Sequence, residues 1–314
     1  MSATRASKNV APPSLEEEVF PPFPGRGVDQ VGLEERAASL RTRSWKRETK
    51  TAALERAISM TDLTTLEGAD TPERVRRLCR RALGPAPGLP LPPVAAVCVY
   101  PALVETAVAT LQGSPVAVAS VASGFPSGQL PLRIRLSDTR AAVEAGADEI
   151  DVVISRNAFL RGDLSRVEDE VAAFKEAAGG AQLKVILETG ELGTFDRIAR
   201  AAWIACRAGA DFIKTSTGKV RINATPATAL CMLEIARDFE RETGRAVGVK
   251  VAGGIRTARD AIHYLAILHE TLGPGALTNR RFRFGASSLL DDLCRQWRKQ
   301  KTGRYQAPED IPSD

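Results

Sequence analysis

A chain of 314 residues, 44% hydrophobic and 26% charged, has ordinary soluble composition and enough apolar matter for one large core or two small ones. Its net charge of +5 is modest, no run approaches the roughly 18 apolar residues of a membrane span, and an N-terminus carrying "SLEEEVF" without an apolar core argues against secretory or transit signals. Five cysteines (Cys79, Cys98, Cys206, Cys231, Cys294) stand far apart with no Cys-x-x-Cys and only two histidines, so no metal site is expected and reduced thiols in the cytoplasm fit best.

Residues 1–30 hold five prolines and no sustained periodicity, which predicts a flexible N-terminal arm. A charged, alanine-rich stretch over 31–57 predicts a helix packed on the domain that follows. The basic run "RTRSWKRETK" at 41–50 reads as a solvated helix face, since no nucleic-acid motif accompanies it. Neither a nucleic acid nor a membrane is expected as a partner. From residue 58 short β-branched runs alternate with helical patterns. The strand candidates are "SMTDLTT", "VAAVCVY", "PVAVASV", "EIDVVIS", "QLKVILE", "DFIKTST", "VGVKVAG" and "FRFGAS". Between them lie helices such as "TPERVRRLCRRAL", where Thr71 caps, Pro72 fills the first turn, and Val75, Leu78 and Cys79 recur at helical spacing. "NATPATALCMLEIARDF" repeats the device with Thr225 and Pro226. Eight such units predict the α/β class, a single (β/α)8 TIM barrel over 58–300 with a short C-terminal tail over 301–314. An open doubly wound sheet would carry a glycine-rich turn after its first strand, and "TTLEGADT" is not one.

Active sites of such barrels sit at the C-terminal ends of the strands. Strand alternation groups Met60, Asp62 and Thr64; Glu149, Asp151 and Val153; Phe212, Lys214 and Ser216; and Lys250 with Gly248 and Ala252, small residues that leave room around it. Parity alone leaves open which set faces the barrel axis. Placing both lysines and both aspartates inside is self-consistent, because Ile150, Val152, Ile213, Thr215, Val249 and Val251 then lie beneath helices. A plain ion-pair network filling the barrel is the alternative. Against it, two ammonium groups on adjacent strands repel, and repulsion with desolvation lowers the pKa of one. A free amine facing a pocket is a nucleophile for a carbonyl, which assigns Lys214 to Schiff-base chemistry. Beyond the strand, Thr217, Gly218 and Lys219 can hold an anion. Gly253-Gly254 after strand seven and Ser287-Ser288 after strand eight add glycine N–H groups and a helix N-terminus, the usual phosphate site of barrel enzymes.

The stretches "MTDLTTL", "VCVYPALV", "GFPSGQ", "EIDVVI", "LKVILETGEL", "DFIKTSTGK", "VKVAGGIRT" and "FGASSLL" run in one order from about 58 to 295. With them the chain resembles the 2-deoxyribose-5-phosphate aldolase family of class I aldolases, in its longer, animal-type branch. The resemblance implies that Lys214 is the Schiff-base lysine, that Lys250 lowers its pKa, that Asp151 relays protons through a water, and that Asp62 joins the polar network beside it. It implies cleavage of 2-deoxy-D-ribose 5-phosphate to D-glyceraldehyde 3-phosphate and acetaldehyde in deoxynucleoside breakdown. No metal or other cofactor is needed, because the protonated imine is the electron sink. A homo-oligomer, a dimer first, is expected. Val251 replaces a proline or serine frequent in the family, and where many short bacterial members end in a tyrosine the nearest candidate here is Tyr305, several residues before the end. Cys98, late in the second strand, reads as a packed thiol. Rival readings are a transaldolase-like or fructose-phosphate aldolase, a non-catalytic sugar-phosphate binder, and an RNA-contacting scaffold.

Overall fold

Each of the eight β-branched runs forms a strand: β1 Thr61–Thr64, β2 Ala96–Val99, β3 Ala117–Val121, β4 Glu149–Val153, β5 Gln182–Ile186, β6 Phe212–Lys214, β7 Gly248–Ala252 and β8 Phe282–Ala286. All are parallel, and they close in chain order, with β1 paired to both β2 and β8. This computed structural model describes residues 27–41 and 47–304. Nearly all of the arm expected over 1–30, positions 42–46 of the basic run, and Tyr305 with the rest of the tail lie outside them.

Two helices, α1 Gln30–Leu40 and α2 Arg47–Ser59, precede the barrel where the sequence suggested one. The connections carry α3 Pro72–Leu83, α4 Val104–Leu111, α5 Leu132–Glu144, the short α6 Arg156–Leu160 with α7 Leu164–Ala178, the short α8 Thr189–Leu192 with α9 Phe195–Arg207, α10 Pro226–Thr243, α11 Ala258–Leu272 and α12 Leu289–Thr302. The last helix runs two residues into the expected tail. Thr71, Thr194, Thr225 and Thr257 cap α3, α9, α10 and α11, each side chain accepting from the backbone N–H three residues on.

Alternation then divides the strand residues between two environments. Ile150, Val152, Ile213, Val249 and Val251 are fully buried in the shell between sheet and helices, about 1.5–3 kcal/mol each. Their neighbours face the barrel axis. On β2 and β3 these are small and apolar: Ala96, Cys98, Ala119 and Val121 pack with Leu66. On β1 and β4 to β8 they include the charged residues Asp62, Glu149, Asp151, Lys184, Lys214, Lys250 and Arg283. The hydrophobic shell therefore holds the barrel closed, while its interior is free to carry chemistry. His263 Nε2 lies 2.7 Å from the Ala37 carbonyl, joining α1 to α11. Among the described residues no helix is long and apolar enough to cross a membrane.

Candidate active site

Register sets the charges side by side. Lys214 is opposite Lys250 across β6 and β7, Asp151 is opposite Lys184 across β4 and β5, and Lys250 is opposite Arg283 across β7 and β8. Asp151 stands at the centre. Its Oδ2 accepts from Lys214 Nζ at 2.7 Å and from Lys250 Nζ at 2.8 Å, and its Oδ1 accepts from Lys184 Nζ at 3.0 Å. Asp62 Oδ1 accepts from Arg283 Nη1 at 2.6 Å. Its Oδ2 lies 2.6 Å from Lys250 Nζ, an ion contact that lacks hydrogen-bond angles. Glu149 takes Lys184 on one oxygen and Arg283 Nη2, at 2.8 Å, on the other.

Four basic groups thus share three carboxylates in a space nearly closed to water. A net charge buried this way is expensive, and releasing one proton leaves three cations against three anions. The local partners decide which proton leaves. Lys184, Lys250 and Arg283 each contact two carboxylates or more, whereas Lys214 has only Asp151, shared with two other lysines. Burial, with the charge of Lys250 adding to it, draws the Lys214 pKa below the ordinary lysine value against the pull of Asp151. Burial acts on Lys184 and Lys250 too, but there Asp151 with Glu149 or Asp62 outweighs it and both stay above that value. Burial likewise opposes ionisation of Asp151 and Asp62, yet the surrounding cations hold both carboxyls below their usual range.

Lys214 is also the cluster member that reaches a cavity. A space of about 270 Å³ opens above it at the C-terminal ends of the strands. Thr217, Gly218 and Lys219 line it from the loop after β6, Gly253 and Gly254 from the loop after β7, and Ser287 and Ser288 from the start of α12. Gly253 and Gly254 both have φ near +80°, and a Cβ on Gly253 would meet the Asn223 side chain. Lys219 Nζ pairs with Glu67 Oε1 at 2.9 Å across the mouth. Arg74 and Arg256 also line this cavity and were not singled out from the sequence.

Three further features escaped the sequence reading. Lys184 and Arg283 complete the ion cluster, and both were legible in principle, because they alternate with apolar neighbours as Lys214 does. Gly248 does not leave room for Lys250: the Phe212 ring fills its space, so close that a Cβ there would overlap it. Room for Lys250 comes from Gly285 on β8, whose Cβ would stand 3.1 Å from Lys250 Cε. Finally, Glu188 is fully buried with φ of 58°, and its carboxylate accepts from the Thr217 N–H and hydroxyl and from Arg156. Thr217 therefore turns its hydroxyl proton to Glu188, while its oxygen accepts the Lys219 N–H at 3.0 Å. Cys98 is buried in the small apolar cluster of the barrel interior.

Residues 56–294 match the family model of the DeoC/LacD family aldolases. A mouse deoxyribose-phosphate aldolase is 47% identical over 91% of this chain and 93% of its own length. The human deoxyribose-phosphate aldolase is 47% identical over 86% of this chain and 88% of its own. Among solved structures, a tetrameric deoxyribose phosphate aldolase from Aeropyrum pernix superposes with a TM-score of 0.63 at 26% identity, covering 83% of this chain and all of that one.

Proposed function

The chain belongs to the DeoC/LacD family of aldolases, and from that premise we propose a class I mechanism in which Lys214 forms a Schiff base with the sugar. It is a lyase, a deoxyribose-phosphate aldolase by its close relatives, which do not favour a transaldolase-like alternative. The observation that carries the mechanism is the position of Lys214: at the cavity floor, with a depressed pKa and a single, shared carboxylate partner.

In this reading the Lys214 amine attacks C1 of open-chain 2-deoxy-D-ribose 5-phosphate. The carbinolamine loses water to give a protonated imine. The C3 hydroxyl gives up its proton, the C2–C3 bond breaks, and its electron pair moves toward the iminium nitrogen, leaving an enamine. D-Glyceraldehyde 3-phosphate departs. The enamine takes a proton at C2, water adds to the resulting imine, and the C–N bond breaks to release acetaldehyde and the free amine. Asp151 is suited to pass protons through a water, since it touches both Lys214 and Lys250. Lys250 stays protonated and keeps a positive charge beside the amine, and Asp62 holds Lys250 in place. The iminium is the electron sink, so no metal or other cofactor takes part. Thr217, Gly218, Lys219, Gly253, Gly254, Ser287 and Ser288 hold the 5-phosphate, with the positive end of α12 adding to the pull.

The proposal extends to the setting of the chain: a cytoplasmic location in keeping with five unpaired cysteines, and a homodimer, which light scattering would register as twice the chain mass. The mechanism is tested by trapping. Borohydride with acetaldehyde should leave one adduct, mapped to Lys214, and Lys214→Arg should fold but show no activity, because guanidinium offers no free amine. An adduct chiefly on Lys219 or Lys250 would reassign the nucleophile.

A further inference from the structure

The cavity above Lys214 does not end at the phosphate site. Thr64, Thr65, Arg74, Ser287 and Ser288 form a wall that it shares with a second cavity, of about 480 Å³, between α3 and the start of α12. Arg74, Arg77 and Arg81 line that second space. They stand at i, i+3 and i+7, one face of α3, so the three guanidinium groups form a single row that starts at Arg74 beside the first cavity. Their partners differ. Arg81 is bound to Asp291, and Arg74 Nη1 rests 3.3 Å from Asp70 Oδ1. Among the described residues the Arg77 side chain makes no hydrogen bond or ion pair, and it is exposed. An arginine fork with no carboxylate, opening on a cavity that adjoins a phosphate pocket, is arranged for a second phosphoryl group.

We propose that the two cavities together bind a diphosphate group, with one phosphoryl at Ser287 and Ser288 and the next between Arg74 and Arg77. The second cavity leads away from Lys214, so its phosphoryl would be joined to the one at Ser287 and Ser288, not carried on the far end of the sugar. Such a ligand occupies the place of the substrate phosphate and blocks the aldolase competitively. The inference rests on the phosphate-pocket reading, and the two can be tested apart.

Inhibition of cleavage by inorganic phosphate and by inorganic pyrophosphate, in metal-free buffer, separates them. Both anions should compete with substrate, and pyrophosphate should bind roughly tenfold or more tightly, the return on an added charge-assisted contact. Arg77→Ala should bring pyrophosphate close to phosphate while leaving turnover of the monophosphate unchanged. Arg76→Ala is the control: it removes the same charge from the same helix, but Arg76 pairs with Glu73 and lines neither cavity. It should preserve the pyrophosphate advantage. If phosphate competes and pyrophosphate is no tighter, or if Arg76→Ala acts as Arg77→Ala does, the diphosphate site is overturned and the phosphate pocket stands. If phosphate does not compete at all, both readings fall.

Discussion

Lys250 shows how one side chain can tune another without touching it. Lys214 and Lys250 are cross-strand partners, and both donate to the same oxygen of Asp151. Replacing Lys250 by Met removes a like charge and also frees Asp151 Oδ2 to act on Lys214 alone. Both changes raise the Lys214 pKa, in a direction opposite to the burial that lowers it. In Lys250→Met the acidic limb of the pH–rate profile should therefore move to higher pH, since the free amine appears only as pH rises through that pKa. A mutant that loses activity with an unmoved limb would make Lys250 a proton donor or a substrate contact. Strand parity grouped each of the two lysines, Asp151 and Asp62 with its neighbours, and the apolar character of the opposite set, not parity itself, argued for placing them inside. The charge balance was not readable in this way. It depends on Lys184 and Arg283, which contribute through partners 33 and 221 residues away, a pairing that no local pattern marks.

At the scale of elements, the site is made by loops that hold one another. Glu188, at the head of α8, bonds Thr217 in the loop after β6, and Arg156, at the start of α6, donates to Glu188. Arg156 also donates to the carbonyls of Pro126 and Ser127 in the loop after β3. Glu188 keeps a left-handed backbone to do so, a conformation that costs roughly 1–3 kcal/mol for a residue with a side chain. In Glu188→Ala the Thr217 N–H and hydroxyl lose their acceptor, and the Arg156 guanidinium loses one partner while keeping Glu191 and the Pro126 and Ser127 carbonyls. The loop beside Lys219 should loosen, with kcat/KM for the phosphorylated sugar falling about 10–100-fold, from a loss of about 1.5–3 kcal/mol. The loss should appear mainly in KM, and Glu188→Gln, which keeps an oxygen acceptor, should recover most of it. Equal damage in kcat and KM with no rescue by Gln would assign Glu188 to folding alone. The strands and the caps at Thr71 and Thr225 were legible because alternation and capping are properties of consecutive residues. The Arg156–Glu188–Thr217 tie was hidden because it joins three loops that only the closed barrel brings together. The first helical region was misread as one helix for a related reason: charged, alanine-rich sequence supports a helix throughout, and the stretch itself does not show that it forms two.

For the molecule as a whole, the barrel carries its chemistry at the expense of stability, and the sign of that trade depends on pH. In the unfolded chain Lys214 titrates near 10.4, and in the folded chain burial and Lys250 set it lower. Between those two values the unfolded state binds the extra proton, so the stability of the native enzyme rises with pH across that window. Lys184 and Lys250 behave in the opposite sense: their folded values are raised, so their contribution is complete below about 10.4 and is lost only as pH climbs through the raised values. Asp62 and Asp151 have lowered values, and what they contribute is present above about 3.9 and lost only in stronger acid. Near neutrality Lys214 is thus the cluster member that works against folding. Met at this position keeps the length of the side chain and leaves Asp151 with Lys184 and Lys250. Lys214→Met should be inactive yet more stable than the native enzyme to urea at pH 7. That gap should narrow steadily as pH approaches 10, where the unfolded lysine also gives up its proton. Urea melts at several pH values measure the gap directly. A gap that stayed constant with pH would mean that Lys214 is not deprotonated more readily in the fold, and the amine would then need another source of activation.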